Sequence, residues 1–261
     1  MDFTPRDAIG RFAPKAGSAS EVSLSDGSPT EQMVKTVRES LVIAAQGERF
    51  QYNAAVFRMQ LDRTAEQLAD DERHMHERES GFQALDELHA RLESWSGSTE
   101  ELADEVREHV PERIHLRLVA HALFGDPMRN DRVENTHPVR VLGATRKPGN
   151  EYLPTALVEY DRAMTSLAKS KAERLQQSIT QEVDAASLSE QQAIREQRTS
   201  LESDIHELEE ARSNVLASTE TLWEDMFPMN VMVESIGESL PRRHYADLFA
   251  HVAANTAYRH T

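Results

Sequence analysis

The chain has 261 residues and a formal net charge of −16, with 39% hydrophobic and only 6% aromatic residues. It contains no cysteine, which excludes disulfides, thiolate nucleophiles and cysteine-based zinc sites. The acidic balance disfavours direct binding to nucleic acid or anionic membrane, because phosphate contacts need clustered lysine and arginine. The longest apolar run covers residues 41–45, far short of the roughly 20 residues of a membrane span. We therefore expect a cytoplasmic protein.

Residues 1–30 carry the composition of a flexible tail. Six glycines and prolines interrupt this stretch, and they are Pro5, Gly10, Pro14, Gly17, Gly27 and Pro29. No helical spacing of apolar residues accompanies them, so we predict a disordered N-terminal tail.

Residues 31–124 form the first predicted helical region. Apolar residues follow Thr30 at spacings of three and four, as in an amphipathic helix. A second run begins near Ala54 and includes Phe57. It carries a seven-residue repeat, which predicts a stripe facing a partner helix; its members are Leu61, Leu68, Met75 and Phe82. Asp71 and Arg78 interrupt this seam where apolar residues are expected.

Two short helices are predicted at the end of this region. Ser98 and Glu101 have the spacing of a capping box, which predicts a helix over 99–109. Pro111 suits the first turn of the next helix, which the break at Gly125 ends. Residues 125–154 are rich in proline and glycine and predict an irregular linker.

Residues 155–227 contain neither glycine nor proline and give the strongest helical pattern. Apolar residues recur there at strict sevens, which is typical of a coiled coil; they are Ile194, Leu201, Leu208, Val215 and Leu222. Ser187 and Glu190 again have capping-box spacing. Two interpretations stay open: one rod of about 110 Å or a helical hairpin. Arg198 and Arg212 at inner positions favour an intramolecular bundle over a dimeric zipper.

Residues 228–261 predict short C-terminal helices, the last of them amphipathic and starting near Pro241. The predicted fold is therefore all-α: an elongated helical bundle or coiled-coil hairpin with a disordered N-terminal tail.

Motifs that carry chemistry are sparse. HExxH and nucleotide-binding glycine motifs are absent. Glu112 and His115 form the one Glu-x-x-His pair on a predicted helix, and helical di-metal sites need two such pairs. These two residues are the least implausible metal ligands, and we expect no catalytic residue and no cofactor. The linker has a basic stretch that suits a partner contact, formed by Arg140, Arg146 and Lys147.

One short segment resembles known proteins. The run Pro-Arg-Asp-Ala-Ile-Gly-Arg-Phe-Ala-Pro-Lys at 5–15, followed by Ser-Glu-Val-Ser-Leu at 20–24, is similar to an N-terminal stretch. That stretch occurs on many otherwise unrelated proteins of actinobacteria and of their phages and plasmids. The resemblance implies a source and a mobile-element origin, and no fold or activity. One aromatic side chain and three cations in this segment suit a linear docking motif; they are Arg6, Arg11, Phe12 and Lys15.

These patterns predict a non-enzymatic helical interaction or structural protein, of scaffold, virion-associated or adaptor type. We expect protein partners, self-association through the apolar seams, or both. A phage-encoded chain would be virion-associated rather than cytoplasmic. Two alternatives stay open: a helical metal-binding or enzymatic bundle, and a regulator that acts within a nucleoprotein complex.

Overall fold

The computed structural model describes residues 29–124, 153–184, 187–220 and 228–256, and all regular structure within these ranges is helical. The eight α-helices there are α1 (Pro29–Met59), α2 (Ala65–Arg91), α3 (Thr99–His109), α4 (Glu112–Phe124), α5 (Leu153–Asp184), α6 (Leu188–Glu220), α7 (Pro228–Ser239) and α8 (Tyr245–Thr256). Short 3-10 turns occupy Leu92–Ser94 and Arg242–His244. The all-α prediction is confirmed. No helix in these ranges is long and apolar enough to cross a membrane.

Capping boxes start two of the helices as predicted. Ser98 accepts a hydrogen bond from the Glu101 amide at 3.2 Å, and the Glu101 carboxylate accepts one from the Ser98 amide at 2.7 Å. Ser187 and Glu190 make the same pair of bonds, at 3.2 and 3.1 Å, just before α6. Local side-chain bonds thus satisfy the first free amides of α3 and α6. The described part of the region from 155 to 227 therefore contains two helices, and its interpretation as a single continuous rod is wrong.

Helices α5 and α6 lie side by side and antiparallel. Three ion pairs show the antiparallel alignment, because the residue numbers of the partners increase along α6 as they decrease along α5. The pairs are Glu182 with Arg198 at 2.7 Å, Lys171 with Asp204 at 2.8 Å, and Asp161 with Arg212 at 2.6 Å. Both arginines predicted at inner positions therefore pair with carboxylates of α5. The seven-residue repeat buries Leu208 and Val215 fully and Leu201 to 8% exposure.

The core centres on α8, which packs against α1, α3, α4 and α5. The predicted final helix is present as α8, and its polar residues Asp247, His251 and Asn255 share one face, but none of its described side chains is exposed. Its small residues let four helices approach closely; the buried ones are Ala246, Ala250 and Ala253. Larger side chains, led by Phe249, fill the gaps between them. One buried cluster joins residues from 33 to 253.

The α1–α2 pair corrects the predicted seam. Helix α1 ends at Met59, and Thr64 caps α2 through a capping box with Gln67. Leu61 therefore lies in the connection, 49% exposed, rather than on a helix seam. The two interruptions of the seam are explained, because Asp71 and Arg78 both face α1 and form ion pairs with it.

Candidate functional site: an exposed apolar stripe on helix α1

The outer face of α1 exposes large apolar side chains. Phe50 is 69% exposed and Phe57 is 62% exposed, while Val42 is 40% exposed. At 100° per residue these three fall within about 80° of one another around the helix. Just past the end of the helix, the amides of residues 60 and 61 donate turn hydrogen bonds, and this turn extends the surface to Leu61. We call these four residues the outer stripe.

Within the residues that the structure describes, burial decreases towards the C-terminal end of α1, and the outer stripe stays exposed there. Ala55 is the last fully buried residue of α1, and between 56 and 80 Asp71 alone is buried. Asp71 accepts a hydrogen bond from Arg58 at 2.7 Å and lies 3.5 Å from Arg63. The ion pairs of Asp71 therefore join the two helices beneath the stripe, together with an edge-to-face contact of Tyr52 on α1 with Phe82 on α2, whose ring centroids are 5.8 Å apart. The aromatic rings on the outer side remain open to contact with another molecule.

A buried carboxylate fixes the start of this segment. Glu48 is fully buried and contacts Arg78 on α2 at 3.0 Å and both Arg113 and Arg117 on α4 at 2.6 Å. Burial by itself raises the pKa of Glu48, but the hydrogen bonds from Arg113 and Arg117 and the charge of Arg78 outweigh it, and the pKa is lowered. Glu48 therefore stays ionised and ties three helices together. The exposed half of α1 is thereby held in a fixed direction.

The outer stripe carries no unbalanced charge, although the whole chain is strongly acidic. Residues 49–61 contain no aspartate or glutamate. The two arginines of this stretch are paired within the chain, Arg49 with Asp86 and Arg58 with Asp71. Arg49 also lies over the Phe82 ring, 5.3 Å from its centroid. Another protein surface can therefore meet the stripe without like-charge repulsion.

A polar cleft of about 360 Å³ lies where α3, α5 and α8 meet. His251 Nδ1 is 3.2 Å from the Ser166 hydroxyl, and Ser170 donates to Glu100 at 3.0 Å. Burial lowers the pKa of His251, so its ring is neutral at pH 7. Glu100 bonds to Ser170 rather than to His251, so the serine–histidine pair lacks the orienting carboxylate of a hydrolase triad. The cleft has room for a small polar molecule.

One group in the described residues has the geometry of a metal site. Ligand atoms of Asp204, Glu207 and His244 lie within 4.8 Å of one another. Cations of the chain already hold the carboxylates, since Lys171 lies 2.8 Å from Asp204 and Arg243 lies 2.5 Å from Glu207. A metal ion would have to displace these partners. The group is therefore best explained as an ion-pair network that joins α5, α6 and the turn before α8.

The predicted metal ligands do not come together as a site. His115 is buried, and its Nε2 lies 2.8 Å from the carbonyl oxygen of Val110, so that nitrogen is the donor. Burial lowers the pKa of His115. Glu112 points outward and is exposed. The pair does not belong to the one group of three potential ligands found in the described ranges.

The predicted partner-binding residues lie outside the described residues: Arg6, Arg11, Phe12, Lys15, Arg140, Arg146 and Lys147. The sequence pattern did not predict Phe50 as a functional residue, and it predicted Phe57 and Leu61 in a helical run whose seam faces a partner helix. Two features of the sequence point to the outer stripe. Phe50 and Phe57 are seven residues apart, and they fall in an acid-free stretch of an acidic chain.

Comparison with known proteins found no matching family model, no matching curated protein and no matching solved structure. The resemblance of residues 5–24 to a segment of actinobacterial and phage proteins stays a prediction.

Proposed function

We propose that this chain is a non-enzymatic helical interaction or structural protein that self-associates through the outer stripe of α1. The observation that carries this proposal is the exposure of Phe50 and Phe57, at 69% and 62%, on a helix held in place by buried ion pairs. Aromatic rings dominate the energetics of protein interfaces, and water is an unfavourable environment for them. Contiguous exposed apolar residues mark interaction surfaces in proteins of known function.

The role we propose is that of a scaffold, virion-associated protein or adaptor of an actinobacterial phage or mobile element. The two antiparallel helix pairs, α1–α2 and α5–α6, act in it as coiled-coil-like arms of an elongated molecule. The N-terminal segment, and the basic residues of the linker, engage a second protein. The resemblance of residues 5–24 supports the source, and the helical arms support the structural role.

A metal-binding bundle is the second candidate, and the geometry of Asp204, Glu207 and His244 is the observation that favours it. Titration with Zn²⁺, followed by calorimetry, tests this candidate. Heat of binding that His244→Ala abolishes would support it, and no heat would exclude it for zinc.

Light scattering on a size-exclusion column tests the main proposal. The mass of the wild-type protein is expected to rise above 29.5 kDa as the loading concentration increases. The double substitution Phe50→Ser, Phe57→Ser is expected to stay monomeric. Leu188→Ser is the matched control, because Leu188 is 84% exposed on α6 and lies outside the stripe; it is expected to behave as the wild type. Circular dichroism checks that all three remain folded.

A wild-type protein that elutes as a monomer at every concentration would contradict the proposal. So would a double variant that associates as strongly as the wild type.

A further inference from the structure

The two phenylalanines of the outer stripe, together with the arginine next to each of them, are arranged symmetrically about a common centre. Arg49 and Phe50 stand before the centre, and Phe57 and Arg58 stand after it in the reverse order. Six residues separate the two phenylalanines. The midpoint falls between Asn53 and Ala54. A two-fold symmetric interface uses the same patch on both copies, so residue i of one copy meets residue j of the other and j meets i. A symmetric stripe satisfies this requirement.

We infer that the outer stripe binds one second copy of this chain, with the two α1 helices antiparallel and the two-fold axis beside Asn53 and Ala54. The inference rests on the proposed function and names its partner and geometry. Phe50 of each copy then packs against Phe57 of the other. Ala54 is small and Asn53 is exposed, so the helices approach at the centre to the 8–10 Å between axes that is typical of packed helices.

Charge permits a second copy as the occupant of the outer stripe. Two chains of net charge −16 repel each other over most of their surfaces. Residues 49–61 carry no acid, and internal carboxylates balance Arg49 and Arg58. The stripe is therefore a face through which two copies can meet without bringing carboxylates together.

The exposed area indicates a reversible dimer. At about 200 Å² for an aromatic side chain, Phe50 and Phe57 together expose roughly 260 Å² in each copy. Two copies then bury about 500 Å² of aromatic surface, well below the ~1,600 Å² of a standard stable interface. Val42, Leu61 and the polar residues between them enlarge the contact. Because the pairing uses the same face on both copies, it closes at two chains and leaves no free stripe.

Single-cysteine cross-linking tests this geometry, since the natural chain has no cysteine to interfere. Three exposed residues on the stripe side of the segment are seven apart: Gln46, Asn53 and Gln60. Asn53→Cys lies next to the axis and is expected to form a covalent dimer under mild oxidation. Gln46→Cys and Gln60→Cys are each about 21 Å from their own copies along the helix, too far for a disulfide. An equimolar mixture of these two is expected to cross-link, because each faces the other.

Gln51→Cys is the control, because Gln51 is exposed on the same helix but points away from the stripe. It is expected not to cross-link. Self-linking of all three stripe variants would show a parallel pair and overturn the inference while the proposed function stands. Equal cross-linking of Gln51→Cys would overturn it as random collision. Absence of every cross-link, with a monomer mass by light scattering, would overturn both.

Discussion

Two glycines inside long helices should respond in opposite ways to the same substitution. Glycine in a helix interior costs about 1 kcal/mol relative to alanine. A methyl group at Gly47 would find its nearest atom outside the helix, Arg117 Nη1, at 3.7 Å, which is an ordinary contact. Gly47→Ala is therefore expected to stabilise the protein by about 0.5–1 kcal/mol.

A methyl group at Gly81 would lie 2.6 Å from Arg113 Nη2 and 2.7 Å from Glu48 Oε2. Glu48 is fully buried and cannot retreat, and Arg113 leaves only by breaking its 2.6 Å bond to Glu48. A hydrogen bond to a charged group contributes about 1.5–3 kcal/mol, which exceeds the helical gain. Gly81→Ala is therefore expected to destabilise the protein by about 1–2 kcal/mol.

Urea unfolding followed by circular dichroism measures both changes, and equal slopes show that the unfolded states are comparable. Stabilisation of the Gly81→Ala variant to the extent of Gly47→Ala would refute the reasoning. It would mean that the carboxylate and the guanidinium shift freely, and that Glu48 does not fix the direction of α1.

Two further predictions concern the core and its histidines. Leu208 is 1% exposed, and Leu208→Ala is expected to lower the free energy of unfolding in urea by about 2–5 kcal/mol. Leu188→Ala, at an exposed site, is expected to change this free energy by less than about 0.5 kcal/mol. Equal effects would show that the seven-residue repeat is not buried. Burial lowers the pKa of His115, His244 and His251. Below the ordinary histidine pKa of about 6.5, the unfolded chain therefore binds more protons than the folded one, and the protein is expected to become less stable as the pH is lowered. Unfolding midpoints that are the same at pH 8 and pH 5.5 would contradict this prediction.

Features that depend on local chemistry could be predicted from the sequence. Helix α3 has the predicted bounds because Ser98 and Glu101 satisfy its first amides without help from the rest of the fold. The break before α6 follows in the same way from Ser187 and Glu190. Neither case requires knowledge of which helices are neighbours in space.

Features that depend on packing partners could not be predicted. Asp71 looked like a defect in a seam, and it is buried because Arg58 on the neighbouring helix supplies its counter-charge. The central position of the final helix was not predicted, since the sequence does not show that four helices surround it. Phe57 was assigned to a helical run whose seam faces a partner, and it is exposed because the core ends near Ala55.

The candidate site illustrates the same limit. An acid-free stretch with phenylalanines seven apart is visible in the sequence, but the same pattern is typical of a buried helix face. Only the exposure of Phe50 and Phe57 in the fold shows that this face is not part of the core.

Amide hydrogen exchange at low and high protein concentration tests the central claim most directly, because it locates the surface that association covers. Peptides from 49–61 are expected to exchange more slowly at high concentration, while peptides from 172–182 on α5, which are similarly exposed, are expected not to change. Slower exchange confined to 49–61 would place the contact on the outer stripe. Exchange that is independent of concentration along the whole of α1 would contradict the account.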